Sequence, residues 1–124
     1  NEEKICKNFY LSETQIKKMV KNDMIIGSHS VSHNIMSELS SQDFKKEIDN
    51  SFRFINNFFQ KKTFSYPYGG FHSFNNNIEK YLSSRDVSFS VNVESKEIKK
   101  YHFNNRRQAL PRFDCNEFKY GKII

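Results

Sequence analysis

Two histidines four residues apart, His29 and His33, lie in the Ser-rich stretch His29-Ser30-Val31-Ser32-His33. On a helical turn that spacing brings both imidazoles to one face, about 5–6 Å apart at Cβ. Neutral ring nitrogens so placed can share one divalent metal ion. The plain alternative is a pair of polar loop or N-cap residues. Ser28, Ser30 and Ser32 suit either role, because hydroxyls cap and orient neighbours and can also support metal-bound imidazoles from behind. A second stretch, Phe64-Ser65-Tyr66-Pro67-Tyr68-Gly69-Gly70, offers tyrosines that can stack on sugar rings and a backbone N–H after Pro67 that can donate to an oxyanion. Its plain reading is a strand ended by a Pro/Gly turn with aromatics packed nearby. His72 follows that turn. His102, in Lys99-Lys100-Tyr101-His102, reads as a solvated surface residue.

These groups need elements to hold them. Ser12 and Gln15 form a capping box for a helix whose stripe is Ile16, Met19 and Val20. Residues Met24 to Gly27 read as a short buried strand that delivers His29. Ser40 to Asp43 cap a longer helix, where Phe44, Ile48, Phe52, Ile55 and Phe59 keep helical spacing to about Gln60. Thr63 to Tyr66 is a strand, Asn76 to Ser83 a weaker helix, and Val87, Phe89, Val91 and Val93 alternate as a strand does. Ala109 to Phe113 is a last short strand, with a turn of helix from Asn116 to Lys119. Arg112 and Asp114 are placed to form an internal ion pair on that strand. Strands alternating with helices imply an α/β fold with parallel strands, whose sites gather at the strands' C-terminal ends. Both motifs lie at such ends. About four strands are legible, whereas a closed barrel needs eight strands and typically ~250 residues, so the chain cannot be a complete barrel of this type.

Composition narrows the classes. The chain has 124 residues, 36% apolar and 27% charged, which suits one folded domain over residues 1–124 and argues against disorder. No run approaches the roughly 20 apolar residues of a membrane span. The net charge of +6 is spread over scattered pairs such as Lys17-Lys18 and Arg106-Arg107. Aromatic and basic residues do not interleave, so nucleic acid is not an expected partner; attraction to an anionic cell-wall polymer accounts for the charge as well. Cys6 and Cys115 form no CxxC, and neither a disulfide nor a thiolate metal cage is indicated.

Taken in order, the motifs resemble a known family. Leu11 to Gly70 is similar to the middle of a polysaccharide deacetylase of the NodB-homology type, carbohydrate esterase family 4. The family's H-[ST]-x-x-H motif is met by His29, Ser30 and His33, and its R-x-P-Y-G motif by Ser65-Tyr66-Pro67-Tyr68-Gly69. A weaker likeness continues through Arg85 to Val91 and Leu110 to Asp114.

The resemblance implies a distorted TIM-type barrel, partial here, that removes acetyl groups from a polysaccharide with a divalent metal, often zinc. His29 and His33 would be metal ligands, and Ser30 would steady their loop. Tyr66, Pro67, Tyr68 and Gly69 would bind substrate, with the Tyr68 amide on the oxyanion, and His72 would stand in as acid. It also points to the cell envelope or the exterior. The departures are specific. No strand ending in paired aspartates, the family's source of base and third ligand, is found, so the chain is expected to be N-terminally incomplete. Ser65 stands where the family usually carries an arginine that orients the base. The chain contains no tryptophan, so the Asp-x-x-x-Trp motif is unmet, and Leu110-Pro111-Arg112 lacks the histidine of the Leu-x-His element. Two rivals follow: an inactive glycan-binding module, and a same-fold enzyme acting on a small soluble sugar. Unpaired strand edges predict self-association.

Overall fold

Residues 2–118 are described by a computed structural model, apart from the side chains of residues 3, 4, 6 and 7. Cys6 thus lies outside the described side chains, as Lys119 lies outside the described residues, while Cys115 is an exposed free thiol. The elements run α1 (Glu2–Phe9), α2 (Glu13–Lys21), α3 (Ser41–Ile55), β1 (Thr63–Ser65), α4 (Asn76–Ser84), β2 (Phe89–Val91) and α5 (Lys100–Arg106). Three short 3-10 turns, Met36–Glu38, Arg107–Ala109 and Cys115–Glu117, complete them. The chain is therefore α/β.

Local signals account for the helix starts. Ser12 and Gln15 form the capping box of α2, Ser40 accepts from the Asp43 amide to start α3, and Asn75 accepts from the Asn77 and Ile78 amides to start α4. Each side-chain oxygen satisfies donors that a helix N-terminus otherwise leaves open. Helix α3 buries Phe44, Ile48 and Phe52, but it ends at Ile55 rather than near Gln60. The amides of Phe58 and Phe59 both return to the Ile55 carbonyl, so the apolar spacing continues through a tight turn.

β1 and β2 pair in parallel, with Thr63 opposite Phe89, Phe64 opposite Ser90 and Ser65 opposite Val91. Two isolated parallel bridges extend this on either side, Ser28 to Phe64 and Val91 to Leu110. Four chain segments thus lie side by side in sequence order, two of them as single bridges. The expected strand from Met24 to Gly27 is corrected: Met24 and Ile25 are exposed and pairing begins only at Ser28. Its apolar residues flank an edge that no described segment covers. The last expected strand likewise shrinks to Leu110, because residues 107–109 coil into a 3-10 turn.

Paired residues share a face of the sheet, so Ser28, Phe64 and Ser90 look the same way. On that face Phe64 packs with Phe44, Ile48 and Phe52 of α3 and Ile78 and Leu82 of α4. The alternation of Val87, Phe89, Val91 and Val93 therefore misleads about sides. From Phe89 onward it is the polar Ser90 and Asn92 that are buried beneath the helices, whereas Phe89 and Val91 are half-buried on the opposite face. The buried polar groups are satisfied internally. Ser90 Oγ donates to Gln108 Oε1 at 2.6 Å, Gln108 Nε2 donates to the Val87 carbonyl at 2.7 Å, and Asn92 Nδ2 donates to the Ala109 carbonyl at 3.1 Å. Such pairing removes most of the cost of burying them.

Candidate functional site

The first motif follows the Ser28 bridge. The Ser28 amide donates to the Thr63 carbonyl and the Ser65 amide to the Ser28 carbonyl, so β1 fixes where His29 leaves the sheet. Behind it, Ser28 Oγ donates to Ser51 Oγ of α3 at 2.6 Å, and Ser51 Oγ donates to the Ile48 carbonyl. His29 Nδ1 lies 2.7 Å from the Ser65 carbonyl. A carbonyl only accepts, so Nδ1 carries a proton, and in the neutral ring the lone pair then lies on Nε2. The rings of His29 and His33 meet edge to face, their centroids 4.8 Å apart. The sequence thus led to a pair of converging imidazoles, although on a loop rather than a helix.

Backbone strain gathers here. Ser30, His33 and Tyr68 have φ of 63°, 55° and 61°, in the left-handed region, which costs a residue with a Cβ about 1–2 kcal/mol. The other two such residues, Asp23 and Asp86, merely follow the C-caps of α2 and α4. Non-glycine residues held this way cluster at functional sites when the surroundings over-determine them. The surroundings do so here. Ser30 Oγ accepts from the His33 amide at 3.1 Å. Glu47 of α3 accepts from the Val31 and Ser32 amides on Oε2, at 2.9 and 2.8 Å, and from Ser32 Oγ on Oε1 at 2.9 Å. Partial burial works to raise the Glu47 pKa, but the bonds from Ser32 and Val31 outweigh it and hold the carboxyl below its ordinary value. Glu47 has no mark in the sequence, since it acts on a loop some fifteen positions earlier.

The second motif completes one wall. The Gly69 amide donates to the Pro67 carbonyl at 2.7 Å, closing a three-residue turn with Tyr68 at its centre. Gly69 is required: at φ 69° a Cβ would sit 2.4 Å from Val93 Cγ1. Tyr68 is 56% exposed and its ring packs edge to face on His33, centroids 4.9 Å apart. Among the described residues the Tyr68 amide has no hydrogen-bond acceptor, which leaves it able to meet an oxyanion.

Tyr66 is corrected from a groove residue to a core one. It is fully buried, stacks on Phe74 at 3.8 Å between centroids and donates its hydroxyl to the Gln108 carbonyl at 2.6 Å. Lying two residues beyond Phe64, it shares the helix-covered face. Pro67 and Gly69 are buried too, so of the four expected substrate-binding residues Tyr68 alone presents surface. His72 is exposed and folds over Gly70, where a Cβ would lie 2.6 Å from its Cε1; its carbonyl accepts from Ser37 Oγ. His102 is half-buried within α5, and its Nδ1 accepts from the Lys99 amide, a helix-starting role in place of a solvated one.

Arg112 reaches the same end of the sheet. Its Nη1 donates to Ser65 Oγ at 2.6 Å, and its Nε lies 3.2 Å from Asp114 Oδ1, the expected ion pair. A cavity of about 400 Å³ lies between the histidine loop and α3, bordered by His29, Val31, Ser51 and Phe54. A larger one of about 630 Å³ lies between α4 and the α5 region and includes none of the predicted site residues.

His29 and His33 supply two neighbouring imidazoles, a donor type that tetrahedral metal sites use. Among the described residues no group of three His, Cys, Asp or Glu side chains converges, and no helix is long and apolar enough to cross a membrane. No curated protein matches the chain. A family model for polysaccharide deacetylase matches residues 2–90, well over half of the sequence and inclusive of both histidines and the Pro67-Tyr68-Gly69 turn. The chain belongs to the polysaccharide deacetylase family.

Proposed function

We propose that this chain carries the metal-binding and oxyanion-binding part of a deacetylase site that hydrolyses acetyl groups from an N-acetylated polysaccharide, on a partial NodB-type barrel. The observation that carries the reading is the bond from His29 Nδ1 to the Ser65 carbonyl, which leaves Nε2 free beside the His33 ring. His29 and His33 would hold a divalent metal, zinc by the character of the donors, which when bound polarises a carbonyl and acidifies a coordinated water. Tyr68 supports the substrate with its exposed ring and offers its amide to the developing oxyanion. Pro67 and Gly69 fix that turn without touching the ligand. His72 is assigned the proton for the leaving amine. Arg112, bonded to Ser65 Oγ, brings a guanidinium beside the residue that stands where the family usually has its arginine. The third ligand and the base that the family draws from paired aspartates have no matching motif in this sequence.

Calorimetric titration with zinc, paired with acetate release from an acetylated chitooligosaccharide, tests this. Zinc binding that weakens in His29→Ala, and chelator-sensitive acetate release once the missing carboxylates are supplied, are expected. Glycan binding with neither zinc binding nor release would replace the reading with that of an inactive glycan-binding module.

A further inference from the structure

Helix α3 grips the histidine loop at two points one turn apart. Ser51 bonds to Ser28, the residue before His29. Glu47, four residues earlier on the same face, takes the Val31 and Ser32 amides on one carboxylate oxygen and the Ser32 hydroxyl on the other. His29 is thereby bracketed by contacts with a single helix. That helix is itself anchored, because Ile48, next to Glu47, is fully buried. The residues on either side of the Glu47-bound segment, Ser30 and His33, are those in the left-handed region. The loop therefore needs an external hold, and the carboxylate provides three bonds toward it.

We infer that Glu47 is a positioning residue: it acts through Val31 and Ser32 to keep His29 and His33 converged, with the His29 ring bonded to Ser65. The inference deepens the metal-site reading and rests on it for its consequence, but the geometry it concerns exists without metal. Glutamine at this position loses the charge and one acceptor, because its NH2 can only donate, so the Ser32 hydroxyl bond would have to reverse. An amide that loses its carboxylate acceptor no longer ties the loop to α3, and the loop is free to rearrange.

The experiment uses the full chain with Glu47→Ala and Glu47→Gln. It reads three signals: imidazole nitrogen NMR of His29 and His33 at a pH where both rings are neutral, amide exchange at Val31 and Ser32, and cobalt(II) titration followed by its visible absorption. The wild type should hold His29 in the Nδ1–H tautomer. Both variants should mix the tautomers and expose the two amides to exchange. They should also weaken cobalt(II) binding about 10–100-fold, the usual effect of removing a residue that orients a metal ligand. Exposed amides with an unchanged His29 tautomer and unchanged cobalt(II) affinity would overturn the inference, leaving Glu47 a local loop contact. If the alanine variant fails to fold, the near-isosteric glutamine variant decides. If the wild type binds no cobalt(II), the metal reading falls, while the tautomer populations still decide for or against positioning.

Discussion

At position 68 a tyrosine adopts a backbone conformation that glycine adopts without strain. Its φ of 61° places it in the left-handed region, and the ring contact on His33 ties that geometry to the site. Tyr68→Gly and Tyr68→Ala both delete the ring, but only the alanine retains the Cβ clash. Denaturant unfolding should therefore find the glycine variant more stable than the alanine variant by about 1 kcal/mol. Equal stabilities would mean that the turn relaxes once the ring is gone. Arg112 gives a second expectation. On the proposed deacetylase reading, Arg112→Ser should depress acetate release, and adding Ser65→Arg to that variant should restore part of it, since a guanidinium then stands again at this end of the sheet. Failure of the swap, with folding intact, would confine Arg112 to its bonds with Ser65 and Asp114. The histidine pair was legible because residue type and spacing alone report it. Tyr66 was not: its motif marks a strand end, but which face of that strand the helices cover depends on Phe52, Ile78 and other residues distant in sequence. Glu47 was less legible still, because a carboxylate on a helix carries no local sign of the loop it holds.

At the level of elements, α3 is both the main core helix and the support of the site. Its N-cap can be tested gently: Ser40→Ala should cost about 1 kcal/mol, read as a lower denaturant midpoint with the same slope. Ile48→Ala, which empties a fully buried position beside Glu47, should cost about 2–5 kcal/mol. The buried link between β1 and the turn after α5 predicts an alkaline response. Burial, reinforced by the negative charge of Glu79, pushes the Tyr66 hydroxyl far above its ordinary value, with Ser90 and Arg106 acting the other way. A group whose folded pKa is raised gives stability that is full below its unfolded pKa and declines above it. Stability should hold up to pH about 10 and then fall by up to about 1.4 kcal/mol per pH unit from this residue. Tyr66→Phe should flatten that part of the pH profile, although it also gives up the bond to Gln108; an unchanged slope would assign the decline to other groups. Helices with caps and apolar stripes were readable from the chain. Helix α5 was not, since Lys100 to Arg106 carries no buried residue and starts through His102 and the Lys99 amide. The end segments of the sheet were overcalled as strands because short apolar runs look alike whether paired along their length or bridged at one residue.

On the scale of the molecule, the open edge of the sheet is the feature with the largest physical consequence. Four parallel segments lie in sequence order, and the first of them has no described neighbour on its outer side. The amides of Ile25, Ile26 and Gly27 find no acceptor among the described residues. Beside them, Met24 and Ile25 are 50% and 55% exposed. Unpaired strand donors next to exposed apolar side chains form a template for another chain. The net charge of +6 opposes such pairing between identical copies. Screening weakens that opposition, since the Debye length falls from about 10 Å at 0.1 M salt to about 3 Å at 1 M, while the backbone and apolar contacts of an edge need no charge. Sedimentation velocity should therefore show an average mass that rises with protein concentration and rises further with salt. A lysine at the edge, Ile25→Lys, should return the chain toward monomer, because pairing would then bury or juxtapose like charges. Tyr101→Lys, on exposed α5 away from the sheet edge, adds the same charge and should leave the association in place. A wild type that stays monomeric at every concentration and salt would show that the edge is protected. Equal suppression by both variants would assign the association to overall charge rather than to the edge at Ile25.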